Sequence, residues 1–252
     1  MSAIPMTRRW AAIVAAATVL AAAVVITIVA TTGGSSSSNT GGPRAVTAEE
    51  AGRLATMRLQ NFEAVGVGFH ATIVTAQGEV TLNGDVDFHT LTGYGEVSGR
   101  HARSYTLEWN SGTLLAWPSP GRPTSPPAAP PTTAPRARVL SPSSPGIDGT
   151  LALILGLGES RPDDAKQVQQ DGARWLRSTT LNGTTVDVMQ GPSPQGPGHG
   201  SETSLDFWVD RSGYLLRLDA YLAGSTTPTR IDLDRNAYTA IPETPYLASS
   251  AS

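Results

Sequence analysis

The chain has 252 residues, no cysteine, and a formal net charge of −3 from 18 basic and 21 acidic side chains. Without cysteine there is no disulfide, thiolate metal ligand, thiol nucleophile or lipidated cysteine, so stability must come from a packed core. The mildly acidic balance argues against nucleic acid or an anionic membrane surface as an electrostatic partner, because both require a basic patch.

Ala11 to Ala30 is apolar except for Thr18 and Thr27, and it follows Arg8 and Arg9. A run of that length, at about 1.5 Å per residue, just spans a hydrocarbon core of roughly 30 Å. The paired arginines before it and the absence of positive charge directly after it predict a single-pass anchor in the cytoplasmic membrane by the positive-inside rule. Residues 1–10 are then cytoplasmic, 11–30 the transmembrane signal anchor, and everything later extracytoplasmic. A cleaved signal peptide competes, but the run exceeds the usual h-region of about 7–15 residues and Ile28-Val29-Ala30 is a poor cleavage site. Residues 31–46, rich in Gly, Ser and Thr, form a flexible linker to a domain over 47–240, with a frayed tail over 241–252.

Thr47-Ala48-Glu49-Glu50 has capping-box spacing, and Leu54, Ala55, Met57 and Phe62 recur at helical intervals, so 48–62 is expected to be an amphipathic helix. From Val65 the period becomes two. Val65, Val67, Phe69, Ala71 and Ile73 alternate with smaller or polar residues, as do Val80, Leu82, Val86 and Phe88, which predicts two long antiparallel strands. Gly93-Tyr94-Gly95 is expected to turn the chain into a shorter strand, followed by Tyr105 to Trp109 and, after Asn110-Ser111-Gly112, Thr113 to Trp117. Residues 118–135 hold eight prolines and are expected to be an extended, mobile insertion that divides the sheet.

Asp148 is expected to cap the apolar run Leu151 to Leu157, which has no polar face and so must be buried or line something apolar. Pro162-Asp163-Asp164 opens another helix, to about Gln170. Trp175–Thr180 and Thr184–Gln190 flank Asn182-Gly183, the strongest short hairpin signal. Leu205 to Asp210, Tyr214 to Leu222 and a last strand from about Thr229 complete a second meander. The fold class is α+β: one large curved antiparallel sheet with a few helices on its concave face, or alternatively two small α+β units.

Polar chemistry is sparse. No G-x-S-x-G, Walker or H-E-x-x-H pattern occurs. His70 and His89 could face each other across neighbouring strands, with Asp85 or Asp87 as a third ligand, but exposed strand histidines are commoner than metal sites. Asp85-x-Asp87 and Asp232-x-Asp234 place paired carboxylates on one strand face, where solvent exposure is the ordinary explanation. His199 and Ser201 lack an acidic partner, and Asn182-Gly183-Thr184 matches a glycosylation sequon that a hairpin turn also explains. Catalytic residues, a metal and a cofactor are therefore not expected.

The apolar signal is stronger. Val67, Phe69, Leu82, Phe88, Leu107, Trp109, Leu115, Trp117, Phe207, Val209, Leu216 and Leu218 read as one sheet face wider than three short helices readily cover. At about 25 cal/mol per Å², such a face must be buried, either by the helices or by a ligand.

The run Val80-Thr81-Leu82-Asn83-Gly84-Asp85-Val86 with Gly95-Glu96-Val97, and the hairpin Phe207-Trp208-Val209-Asp210-Arg211-Ser212-Gly213-Tyr214-Leu215-Leu216-Arg217, resemble the LolA-like half-barrel family, in particular the mycobacterial LppX/LprG-type lipoproteins. The resemblance spans residues 47–235. It implies a cavity between sheet and helices that accepts a lipid, lipoglycan or lipidated ligand. Its lining would be Phe69, Leu82, Phe88, Leu107, Trp109, Leu151, Ile154, Leu155, Phe207, Leu216 and Leu218. That family carries a lipobox cysteine, which this chain lacks, so the transmembrane helix would replace the lipid anchor. The expected role is a carrier or sensor of apolar ligands in the cell envelope. The other possibility is an envelope interaction module with a self-filled core, contacting other envelope proteins.

Overall fold

Thr47 starts the first helix through reciprocal bonds: its side chain accepts the Glu50 N–H, and the Glu50 carboxylate accepts the Thr47 N–H at 2.8 Å. The capping box is therefore present, and α1 runs Ala48–Glu63. The computed structural model describes residues 42–75, 78–99, 103–119, 127, 131–144, 146–192, 204–222, 225–241 and 246–247. The expected anchor at 11–30, most of the linker and of the proline insertion, and the His199/Ser201 loop lie outside those residues.

A short strand β1 (Arg44–Ala45) precedes α1. Then follow β2 (Gly66–Thr75), β3 (Gly78–Asp87), β4 (Thr92–Gly99), β5 (Tyr105–Trp109), β6 (Thr113–Pro118) and β7 (Arg136–Val139). Two helices, α2 (Ile147–Leu155) and α3 (Ala165–Gln170), lead to β8 (Arg174–Leu181), β9 (Thr184–Gln190), β10 (Ser204–Asp210), β11 (Leu215–Tyr221) and β12 (Thr229–Asp234). A single 3-10 turn, Arg235–Ala237, follows. Among the described residues all twelve strands form one sheet in the order β1-β8-β9-β10-β11-β12-β2-β3-β4-β5-β6-β7.

Several expectations need correction. The proline segment does not divide the sheet. Pro118 still pairs with Tyr105, the chain returns as edge strand β7, and the two meanders join through β12 and β2. Arg44 and Ala45, read as linker, pair with Trp175 and Arg174. Gly93 to Gly95 lie inside β4 rather than at a turn. Asp148 is not a cap: Gly146 holds that position, and Asp148 sits in the first turn of α2. The Asn182-Gly183 hairpin is as expected, with φ of 50° and 82° at its two central residues, the left-handed pair of a type I′ turn.

Register assigns each side chain to a face. Val67, Phe69, Ala71 and Ile73 of β2 lie opposite Val86, Gly84, Leu82 and Val80 of β3 on the inner face, the one that the helices cover. The same face continues through Gly93, Gly95 and Val97 to Trp109, Leu107 and Tyr105, then to Leu114 and Ala116. Leu115 and Trp117 therefore point outward, one residue out of step with the expected face, although both are buried. Leu216 is displaced for a different reason. A bulge at Trp208/Val209 pairs Trp208 with Arg217 but Val209 with Leu215, so Leu215 takes the core position and Leu216 is the extra residue.

Helix α1 packs on β10, β11 and β2, α2 on β2, β3 and β4, and α3 on α1. A part-buried ion pair and a buried amide hold α1 in place. Arg53 Nη2 donates to Asp187 Oδ2 at 2.7 Å, and Asn61 Nδ2 donates to the Leu157 carbonyl at 2.8 Å. Burial alone would raise the Asp187 pKa, but donation from Ser178, Trp175 and Arg53 holds it below the ordinary carboxylate value.

Trp109 is fully buried on the inner face. Its indole lies flat over Gly93, where an added Cβ would come within 2.1 Å of the ring, and its edge meets Phe69 at a centroid distance of 6.2 Å. Gly93→Ala is accordingly expected to displace a fully buried indole and cost about 1–3 kcal/mol, lowering the thermal midpoint by several degrees. An unchanged melting curve would show that the indole has room to move.

Candidate functional site

Ten of the eleven residues expected to line a cavity, all but Leu216, belong to one buried cluster between sheet and helices. Leu82, Trp109, Leu151, Ile154 and Leu218 are entirely inaccessible to solvent. These side chains pack on one another, so the space beneath α1 and α2 is occupied by the protein itself.

The inner face stays open at one end. Beyond the N-terminus of α2 lies an apolar groove of about 350 Å³, floored by Val97, Tyr105, Leu107, Leu114 and Ala116 and walled by Ile147 and the β7 residues Arg136, Ala137 and Arg138. Its floor is continuous with the core, since Val97, Leu107 and Leu114 belong to the buried cluster. Of the residues anticipated from sequence only Leu107 lies in it. The alternation Tyr105-x-Leu107 was visible, but β7 and the β6 register that brings Leu114 and Ala116 alongside were not.

One ion pair fixes the shape of this opening. Arg138 Nη1 and Nη2 donate to Asp148 Oδ2 and Oδ1, each at 2.5 Å, and the Ser141 N–H donates to the same carboxylate at 3.0 Å. The Arg138 bond is the main reason that the Asp148 pKa lies below its ordinary value, outweighing burial. The pair staples the start of α2 to the sheet edge, while Arg136 stands exposed at the rim.

The outer face is not the solvent face expected from its charges. Asp85, Tyr94, Glu96 and Glu108 are all less than a tenth exposed. The chain after β12 crosses above them: the Thr239 N–H donates to Asp85 at 2.9 Å and the Tyr238 hydroxyl donates to Asp87 at 3.0 Å. Gly66 and Gly68 make room for this crossing, since a Cβ at either would strike Tyr238 or Ala237. Farther along, Trp117 Nε1 donates to the Thr133 carbonyl, and Tyr246 stacks edge-on against the same indole.

Burial pushes Asp85 up, partly offset by the Thr239 N–H, and pushes Glu96 up, with the nearby Ser119 hydroxyl offsetting a little without bonding either carboxylate oxygen. Burial, and then the charges of Glu108 and Glu96, push Tyr94 to about 12. Beside this region an open groove of about 750 Å³ runs across the outer face, lined among others by His70, Asn83, Asp85, Tyr94, Leu216, Asp232 and Asp234.

The two histidines do not face each other. His70 Nδ1 meets Asn83 Oδ1 at 2.5 Å, whereas His89 sits in the β3–β4 turn with Nε2 on the Phe62 carbonyl at 3.1 Å. Asp87 orders that turn by accepting the N–H groups of His89 and Thr90. Asp232 pairs with Arg217, and Asp234 caps the 3-10 turn through the Asn236 N–H. Among the described residues no three His, Asp or Glu side chains converge as metal ligands.

Neither a family model nor a curated protein sequence matches this chain. Among solved structures it is similar to lipoprotein LppX of Mycobacterium tuberculosis, at 13% identity over 75% of this chain and 97% of that one, TM-score 0.43. It is also similar to an outer membrane lipoprotein-sorting protein domain from Vibrio parahaemolyticus, at 14% identity over 73% and 77%, TM-score 0.34. A DUF1329 family protein from Desulfovibrio piger matches at 12% identity over 82% and 99%, TM-score 0.35.

The buried outer-face carboxylates make a pH prediction. A carboxyl whose folded pKa exceeds its unfolded value destabilises the fold fully above the folded pKa, and the penalty disappears below the unfolded pKa, about 4. Glu96→Gln is therefore expected to raise stability at pH 7 by about 1 kcal/mol and to give no advantage by about pH 4. Urea unfolding of both forms at the two pH values measures this, and a benefit that grows on acidification would contradict it.

Proposed function

We propose that this is a membrane-tethered extracytoplasmic domain that binds a single acyl chain of a lipid or lipidated ligand, received at the groove beyond α2. What supports this is an open apolar groove on the face that the helices otherwise seal, of a volume at the lower end of ligand sites. Its rim carries Arg136, an exposed cation beside an apolar floor, suited to the anionic head of such a molecule. The tether is the run 11–30. Among the described residues no helix is long and apolar enough to cross a membrane. The protein acts by holding and presenting the chain, as a carrier or sensor at one membrane, and no bond-making step is assigned to it.

A second reading has its own observation. Ten of the anticipated lining residues pack into one closed cluster, which favours an interaction module with a self-filled core.

Photolabelling separates the two. A photoactivatable fatty acid is added to membranes containing the full chain, and labelled peptides are mapped by mass spectrometry. Label is expected in β5, β6 and the start of α2. Ala116→Phe, which fills the groove from its floor, is expected to reduce that label at least fivefold without reducing the label on residues 11–30. Label confined to 11–30, or groove label indifferent to Ala116→Phe, would leave the self-filled module as the function.

A further inference from the structure

The chain contains two Asn-Gly pairs, Asn83-Gly84 and Asn182-Gly183. In both, the residue after asparagine has no side chain, so nothing of its own shields its backbone nitrogen from the asparagine amide carbon. The fold treats the two pairs oppositely. Asn83 lies inside β3, in register with His70 on one side and Glu96 on the other, and Gly84 lies between Phe69 and Gly95. Asn83 Oδ1 meets His70 Nδ1, and a Cβ added at Gly84 would come within 2.3 Å of the Tyr94 carbonyl oxygen. Asn182 and Gly183 instead form the exposed tip of the β8–β9 hairpin. A Cβ added at Gly183 would meet nothing within 4 Å. Among the described residues no hydrogen bond holds the Asn182 side chain or the Gly183 N–H.

For the glycine nitrogen to reach the asparagine amide carbon, the backbone between them must turn away from its folded geometry for a moment. At Asn182 that motion opens a turn closed by the Leu181/Thr184 pair and disturbs little else. At Asn83 the same motion must separate β3 from both β2 and β4. Local opening free energies run from near zero at exposed tips to the full stability of the domain in central strands. One sequence motif therefore has two very different opening costs in one fold.

We infer that Asn182 is a site of spontaneous covalent modification, at which the folded protein converts asparagine to isoaspartate through a cyclic imide. Hydroxide removes the Gly183 amide proton, the nitrogen bonds to Asn182 Cγ, and the Cγ–Nδ2 bond breaks with release of ammonia. Water then cleaves one of the two bonds from the ring nitrogen to a carbonyl carbon. Cleavage at Cγ leaves aspartate, and cleavage at the main-chain carbonyl leaves isoaspartate, with the backbone now running through the side-chain carbons. In sum, amide and water give carboxylic acid and ammonia, with no oxidation or reduction. Isoaspartate adds a methylene to the backbone at the two-residue turn that sets the hairpin register. Conversion therefore unlatches the tip of β8–β9, which carries Leu181, Asn182 and Thr184 along the outer groove. This chemistry is separate from the inner-face groove and does not depend on acyl binding there.

The full chain in nonionic detergent is aged in mildly alkaline buffer, either folded or in concentrated guanidinium chloride. Both asparagines are followed by peptide mapping with electron-transfer fragmentation, which separates isoaspartate from aspartate. In the folded protein Asn182 is expected to convert at least tenfold faster than Asn83. In denaturant the two rates are expected to agree within twofold, because both pairs are then equally free. Freshly prepared Asn182→Asp supplies the charge without the extra methylene. Hydrogen exchange at the Leu181 and Thr184 amides is expected to rise at least tenfold in the isoaspartate form and to stay at its starting rate in that variant, with the Trp175 and Met189 amides unchanged in both. No conversion at Asn182 in the folded protein, conversion of Asn83 at a comparable rate, or a preference that persists in denaturant overturns the inference. An equal rise in exchange in Asn182→Asp, or none in the isoaspartate form, overturns the unlatching.

Discussion

The pairing of β12 with β2 is the constraint on which the rest of the molecule depends. It joins the last strand of the second meander to the first strand of the first, in register from Arg230/Thr72 to Asp234/Gly68. Without that seam each meander would expose an additional edge, and its inner face would be served only by its own helices, α2 for one half and α1 with α3 for the other. With it, Phe69 and Ala71 meet Leu233 and Ile231 beneath both helix groups, and one core extends from Trp175 to Leu114. The same seam sets the outer rows, because register that brings apolar residues together inside brings Asp232 beside His70 outside.

Single structures of this width face a covering problem, which this chain solves differently on its two faces. Inside, three helices are too few, and large side chains complete the cover. Trp109 lies down where β4 carries glycine, and Phe88 meets Gly158 in the same manner. Outside, irregular chain does the covering, through Tyr238, Thr239, Thr133 and Tyr246. Irregular cover offers few donors to the groups beneath it. Among the described residues, Tyr94 and Glu96 keep oxygens without a hydrogen-bond partner on this outer face.

What was legible in the sequence follows from the same physics. Capping boxes, Asn-Gly turns and period-two alternation are local signals, and α1, the β8–β9 hairpin and most strands fall where those signals put them. Leu216 was misplaced because a bulge depends on its partner strand, which the alternation Tyr214, Leu216, Leu218 does not reveal. Strands β1 and β7 are short, arginine-bearing edges, too brief for a periodic signal. The outer-face carboxylates alternate with apolar residues just as solvent-facing ones would, so their burial under a segment remote in sequence left no local trace. Periodicity identified the apolar face correctly in kind, but it could not measure whether side chains fill the width of that face.

That filling sets a threshold on what the inner face can accept. A chain that stays in the groove beyond α2 disturbs little. To penetrate further it must lift α2, exposing Leu151, Ile154 and Leu155, which are at most 5% accessible. At about 1.5–3 kcal/mol for each large aliphatic side chain, this costs on the order of 5–9 kcal/mol. Each methylene that enters returns about 0.8 kcal/mol, so roughly six to eleven must be newly buried before opening breaks even. Association itself carries a further entropic cost. On the proposed acyl-binding reading, short chains would therefore meet only a shallow groove, and only long chains could offset the displacement of α2. The Arg138–Asp148 pair holds the start of α2 to β7, and Arg58 and Asn61 hold the Gly156 and Leu157 carbonyls just past its end, so on the proposed acyl-binding reading displacement of α2 must break bonds at both ends as well as expose its apolar face.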